Sequence, residues 1–426
     1  MIRNRLLAIA LVLILLVLSR GGAMATGSSV SLRFTPPAKP IDKMLFSLNI
    51  IGLHYGVIWP TVPFASWRNF HSYWDVLEPH KGKWDFTMLD REVEAAVRSG
   101  TELLLVLGST PTWASARPNE IGCCKPDAPR GNAAEVKDLA EWRNYVLTVA
   151  SRYKGRVRHY ELWNEPNVNQ FYSGSVEKLV ELNREAYRVL KEVDPSIVVV
   201  SSSLSRCCEA LKYLDKYFAL GGGKWADVVG FHFYPAPKPP EAMIPLVWQV
   251  KELMVRYGVN KPLWNTETGW RILNHNQNIE ADSWAGPALS DNESIAYLMR
   301  TFLLSWAAGI ERLYWYAWGH NSMGMTEYGG RIPKPIATAF TDLQHWMVGA
   351  EMLTCEQVDN GTWIAAFSRS GKPFWIVWNP EGTVGYSPPA SWRIAGWSTL
   401  AGERFSIDAQ GVVTIGPVPV RLDPIP

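Results

Sequence analysis

The chain has 426 residues, 47% of them hydrophobic and 19% charged, which supplies a large core and excludes an intrinsically disordered chain. The formal net charge is only +2 and no Lys/Arg run follows the first few residues, which argues against a nucleic-acid binder and for a neutral ligand. The 21 tryptophans combine flat apolar rings with a polar N–H, which suits the C–H faces of sugars as well as a protein core.

In chain order, residues 1–25 read as an export signal. Arg3 and Arg5 precede an apolar run from Leu6 to Leu18, and Ala23-Met24-Ala25 forms a small-residue cleavage site. The run is short for a bilayer span. Cleaved, it predicts a periplasmic or extracellular protein; uncleaved, an inner-membrane anchor.

From residue 40 to 350, apolar strand candidates alternate with helix-patterned stretches, the signature of a parallel sheet wrapped by crossover helices. The strands are read at Phe46 to Gly52, Ser66 to Phe70, Glu102 to Gly108, Val157 to Trp163, Ser196 to Ser201, Asp227 to Phe233, Pro262 to Asn265 and Arg312 to Trp318. Eight strands over about 300 residues predict a (β/α)8 barrel of the α/β class. Asn132 with Glu135 and Ser290 with Glu293 read as capping boxes, Thr87 with Asp90 resembles one, and Gly100 and Gly155 read as helix stops. Beyond residue 350 the pattern shortens to segments such as Thr362 to Ser368 and Pro373 to Trp378, separated by Gly and Pro turns. Residues 351–426 are therefore read as a β-sandwich module, to which the segment 28–38 adds a strand at Val30 to Phe34.

The cysteines form two adjacent pairs, Cys123/Cys124 and Cys207/Cys208, plus Cys355. No His cluster accompanies them, so a metal site is not expected. An oxidising compartment allows a bridge between the two pairs; free thiols or another pairing fit as well.

In a barrel of this kind the working face lies at the C-terminal ends of the strands. Two carboxylates fall there: Glu165 in HYELWNEPN, after the fourth strand and before Pro166, which is read as forcing the chain out of the strand, and Glu267 in PLWNTETGW, after the seventh. Three strand-plus-helix units of about 30 to 40 residues separate them, so both reach one mouth.

These two motifs resemble those of clan A glycoside hydrolases. The chain is most similar within that clan to family 39, especially bacterial endoglycosidases encoded with exopolysaccharide biosynthesis genes. The likeness extends to YWDVLEPHKGKWDF from Tyr73 to Phe86, to HFY at His232 to Tyr234 and to LYWYAWG on the eighth strand.

The resemblance implies Glu165 as catalytic acid/base and Glu267 as nucleophile of a retaining hydrolase, whose carboxyl groups stand about 5 to 5.5 Å apart. It implies that Asn164 bonds the sugar 2-hydroxyl, that Tyr234 donates to Glu267, that His232 lines the same wall and that Arg68 supports the nucleophile. Trp315 or Trp318 would floor the subsite at the cleavage point; the two point to opposite sides under a two-residue period.

Trp113 is a candidate for stacking on a neighbouring sugar or for packing under its loop. His54 is read as a satisfied polar neighbour of the core, with contact to the non-reducing sugar as the alternative.

The expected activity is endo-cleavage of a β-linked polysaccharide, with an exo-acting β-xylosidase-like enzyme and a non-catalytic polysaccharide-binding barrel as alternatives. Transglycosylation is open, because a sugar hydroxyl can take the same covalent intermediate. No metal or nucleotide cofactor is implied, and the expected partner is a polysaccharide or oligosaccharide met by a monomer.

Overall fold

The computed structural model describes residues 30–53, 56–69, 73–122, 128–275, 286–407 and 410–425. The signal segment, His54, Cys123 and Cys124 lie outside them. β1 (Val30–Phe34) comes first. The barrel then runs β2 (Phe46–Asn49), β3 (Ser66–Asn69), α1 (Trp74–Leu77), α2 (Thr87–Ser99), β4 (Glu102–Leu107), α3 (Leu139–Arg152), β5 (His159–Leu162), α4 (Val176–Val193), β6 (Val198–Val200), the two-residue β7 (Leu204–Ser205), α5 (Ala210–Ala219), β8 (Val229–His232), α6 (Ile244–Arg256), β9 (Leu263–Thr268), α7 (Asp291–Ala307), β10 (Ile310–Tyr316) and α8 (Pro335–Met347). The sheet order is β6-β5-β4-β3-β2-β10-β9-β8-β7, and a parallel bridge between Val200 and Val228 closes it. The strand read as fourth is β5, and the seventh is β9.

Two-residue alternation sorts each strand. Phe46 and Leu48, Trp67, Leu103 and Leu105, Tyr160 and Leu162, Phe231, and Leu313 and Trp315 join the main apolar core, which also takes in the helices. The opposite parity fills the barrel. Leu104, Val200, Val228, Trp264 and Tyr314 form a separate apolar plug, and the Ser66 hydroxyl meets the Tyr314 hydroxyl at 3.0 Å. Arg68 and Glu161, of the same inward parity, are then paired inside the barrel.

The caps follow local chemistry. Ser290 and Glu293 form the reciprocal capping box of α7, and Gly100 closes α2 in the left-handed conformation. Two expectations are corrected. Asn132 caps no helix: α3 starts later behind Asp138, whose side chain accepts from Ala140 N–H, while the Asn132 amide is buried and donates to Asp75 at 3.3 Å. Thr87 is the first residue of α2 rather than its cap, and its N–H is taken by Asp85. Gly155 has φ +76 and lies shortly beyond α3, which Tyr153 terminates.

The remaining strands are β11 (Glu351–Val358), β12 (Trp363–Arg369), β13 (Lys372–Trp378), β14 (Val384–Tyr386), β15 (Ile394–Ser398), β16 (Arg404–Ser406), β17 (Val413–Ile415) and β18 (Val420–Pro424). A seven-stranded sheet, β1-β11-β12-β13-β18-β15-β16, is covered on one face by the β14–β17 pair, making a lopsided β-sandwich. Its other face presents Trp363, Phe367, Phe374 and Trp378 to the core shared with the barrel. Glu241 bridges the two parts, accepting from Trp378 Nε1 at 3.2 Å and from Arg300 on α7. No helix among the described residues is long and apolar enough to cross a membrane.

Candidate active site

Arg68 is the hub at the C-terminal mouth. Inward parity on β3 buries its guanidinium completely, where an unpaired charge would be very costly. It is paired on several sides. Nε donates to Glu161 Oε2 at 3.1 Å, Nη2 donates to Glu161 Oε1 at 2.6 Å and to Asn164 Oδ1 at 2.7 Å, and Nη1 donates to Glu267 Oε2 at 2.7 Å. The two carboxylates hold the guanidinium in its charged form against the desolvation that opposes it.

Glu267 reaches this cluster through an irregularity. Trp264 and Thr266 set the inward parity of β9, which by strict alternation would turn Glu267 outward. Between β9 and β10, however, the register passes from Leu313 opposite Asn265 to Trp315 opposite Thr268. β9 therefore carries one extra residue, and such a bulge re-aims a side chain. Glu267 turns inward, where the Tyr234 hydroxyl donates to Oε1 at 2.8 Å while Arg68 holds Oε2.

Glu165 arrives differently. The chain leaves β5 at Trp163, φ +76, ahead of Pro166 and not because of it, and Glu165 itself has φ +42. Its N–H is anchored on the Ser203 carbonyl at 2.9 Å. Its Oε1 lies 2.7 Å from His232 Nδ1. Burial lowers the His232 pKa to about 4, so this imidazole is neutral.

The two glutamates each keep 12% of their side-chain surface open, whereas Arg68, Glu161 and His232 keep none. One carboxylate oxygen of Glu165, one of Glu267 and a ring nitrogen of His232 all lie within 4.8 Å of one another. Burial pushes the Glu165 carboxyl up to about 7, partly offset by a hydrogen bond from Ser205 and by the Arg68 charge. Glu267 is also raised by burial, against the lowering effects of the Arg68 charge and the Tyr234 hydroxyl. Each charge opposes the other, so the pair titrates together. Glu267 faces a guanidinium and a hydroxyl donor, which favour the pair's negative charge there over Glu165. The same three residues are close enough to hold a cation. Both Glu267 oxygens already accept hydrogen bonds, one from a buried guanidinium, so the donor set suits a carboxylate pair better than a metal.

The other candidates divide. Asn164 joins the cluster through Oδ1, which fixes its amide orientation. Trp315 and Trp318 do not floor the site, because both are fully buried. Trp315 has the outward parity and packs on Trp270 with ring centroids 5.6 Å apart, and the Trp318 indole N–H is tied to the Ile58 carbonyl at 2.9 Å. Tyr316 takes the inward parity of Tyr314, is partly exposed and acts electrostatically on Tyr234, so it is the aromatic of β10 that reaches the mouth. Trp113 packs edge-on against Trp74 at 5.7 Å, beneath Lys81, with its N–H on the Glu78 carbonyl. Cys207 and Cys208 are exposed thiols and Cys355 is a buried one. Glu161 and Tyr316 are the site residues that sequence reading missed. The signal for both was an inward residue of the right parity on a strand already identified.

No family model matches the chain. Among curated proteins, an endo-1,4-beta-xylanase C of Paenibacillus barcinonensis is 24% identical over 192 residues, 39% of this chain and 17% of that protein. A beta-xylosidase of Geobacillus stearothermophilus is 23% identical over 180 residues, 40% of this chain and 34% of that protein. The chain thus spans only 17% and 34% of the length of these two relatives. Among solved structures, a family 39 glycoside hydrolase from Bacteroides cellulosilyticus WH2 superposes with a TM-score of 0.66 at 22% identity, covering 85% of this chain and 76% of that one. The chain therefore has the fold seen in clan A glycoside hydrolases of family 39, a closed (β/α)8 barrel with a β-sandwich module.

Proposed function

We propose that the chain is an exported retaining glycoside hydrolase that cleaves β-glycosidic bonds within a polysaccharide, with Glu165 as acid/base and Glu267 as nucleophile. The observation that carries this reading is the approach of the two carboxylates to within 4.8 Å at the ends of β5 and β9. Retaining enzymes use a separation of about 5 to 5.5 Å, and inverting ones about 6.5 to 9.5 Å so that a water fits between.

In the first step Glu267 attacks the anomeric carbon while Glu165 passes its proton to the departing glycosidic oxygen. The new ester removes the negative charge of Glu267, which had opposed ionisation of Glu165; Glu165 then takes a proton from the incoming water, whose oxygen bonds the anomeric carbon as the ester bond breaks and releases the Glu267 carboxylate. Tyr234 and Arg68 hold the nucleophile ionised and aimed, Asn164 is placed for the 2-hydroxyl, and Tyr316 offers the ring at the cleavage subsite. The presence of both carboxylates on one site favours this reading over a non-catalytic barrel.

The beta-xylosidase relative favours exo action as the second reading. Incubation with a panel of β-linked polysaccharides, with products identified by mass spectrometry, tests substrate and mode together. A ladder of internal oligosaccharides is expected; monosaccharide as the sole product would establish exo action, and intact polymer throughout would overturn the hydrolase reading. Fusing residues 1–29 to a periplasmic reporter tests export, and retention in the cytoplasm would refute it.

A further inference from the structure

We infer that Glu161 is a positioning residue that divides the Arg68 charge and sets how strongly it falls on Glu267, an inference resting on the nucleophile assignment above. Glu161 lies in the middle of β5, fully buried, on the strand that leads to Glu165. Its two oxygens grip Nε and Nη2 of Arg68 at 3.1 and 2.6 Å. That grip fixes the guanidinium plane, because the donors of the fork cannot turn independently. The plane so fixed presents Nη1 to Glu267 and Nη2 to Asn164, each at 2.7 Å. One carboxylate thus orients the partner of the nucleophile and the partner of the residue before the acid/base.

The charge matters as much as the orientation. Arg68 facing Glu267 alone would form an undivided buried ion pair, holding the nucleophile's electron pair in place and making it a weaker attacker. With Glu161 present the cation is already compensated, and Glu267 is bound through a single Nη1 contact with its other oxygen on Tyr234.

The test is Glu161→Gln, which keeps the shape and removes the charge, assayed with p-nitrophenyl β-D-xylopyranoside or with the p-nitrophenyl β-glycoside that the polysaccharide panel selects. The acidic limb of the kcat/KM profile is expected to move to lower pH by about one unit. The kcat is expected to fall about ten- to a hundredfold with KM nearly unchanged. Glu161→Asp keeps the charge on a shorter arm and should leave the acidic limb near its original pH while lowering kcat. It also serves if the Gln variant does not fold.

An unmoved acidic limb in folded Glu161→Gln, or a limb in Glu161→Asp displaced as far as in a charge-free variant, overturns the inference. A Glu267→Gly variant given azide reports separately on the parent reading. An α-glycosyl azide supports the nucleophile assignment, and its absence refutes that assignment whatever Glu161 does.

Discussion

The two walls of the barrel mouth carry the same residue type at the same 12% exposure, yet they are built from different materials. On the β9 wall, Glu267 meets a fully buried guanidinium and a tyrosine hydroxyl, both donors, and its charge is welcome there. On the β5 wall, Glu165 meets a neutral imidazole and sits on backbone in the left-handed region at φ +42, and its proton is retained to about pH 7. On the proposed assignment, acid and nucleophile are distinguished by their neighbours, since burial raises both.

The largest effect that would break this contrast is at Glu267. Glu267→Ala should lower kcat by about 10⁴-fold or more, measured with an activated aryl glycoside; retention of a tenth of the activity would remove Glu267 from the chemistry. On the opposite wall, Glu165→Ala should cost about 10² to 10⁴ on polysaccharide and far less on a dinitrophenyl glycoside, whose leaving group needs no proton. Equal losses on both substrates would mean that Glu165 is not the acid.

The wild-type pH profile sharpens the same point. A carboxyl with its pKa raised to about 7 is the active, protonated form below that pH. The kcat/KM value should therefore drop by about tenfold per unit on the alkaline side. An acid with an ordinary carboxyl pKa would place that drop well below neutrality.

A smaller change is expected from Tyr234→Phe, which removes one donor to a charged oxygen and should cost about ten- to a hundredfold in kcat. The smallest concerns β10. Tyr316→Ala should raise KM with the fold intact, whereas Trp315→Ala should destabilise the fold by about 3 kcal/mol, a large buried side chain lost, and leave KM unchanged in folded enzyme. A KM effect at Trp315 would reverse the assignment of the inward face.

These elements differ in how readable they were. Glu165 and Glu267 were visible because each lies at the end of an apolar run, and runs are a local property, whereas Arg68 was pointed to by the family resemblance. Glu161 was visible in principle: a charge inside a buried strand requires a partner, and its parity matches that of His159. The partner, Arg68, comes from a strand far away in sequence and emerges only from the folded barrel.

Tyr316 was overlooked because the family resemblance pointed to Trp315 and Trp318, although Tyr316 shares the inward parity of Tyr314. The bulge in β9 was not readable at all. It is a relation between two strands, and without it the alternation of Trp264 and Thr266 sends Glu267 to the wrong face. Asn132 failed for a related reason. The capping pattern was present, but tertiary contact with Asp75 claimed the side chain before any helix began.

Double displacement between Glu165 and Glu267 fixes the stereochemistry of the first product. Hydrolysis of a β-linked substrate followed by proton NMR from the first seconds should show the β-anomer accumulating first, with the α-anomer growing only by mutarotation. Initial appearance of the α-anomer would mean a single displacement by water, with no glycosyl-enzyme on Glu267.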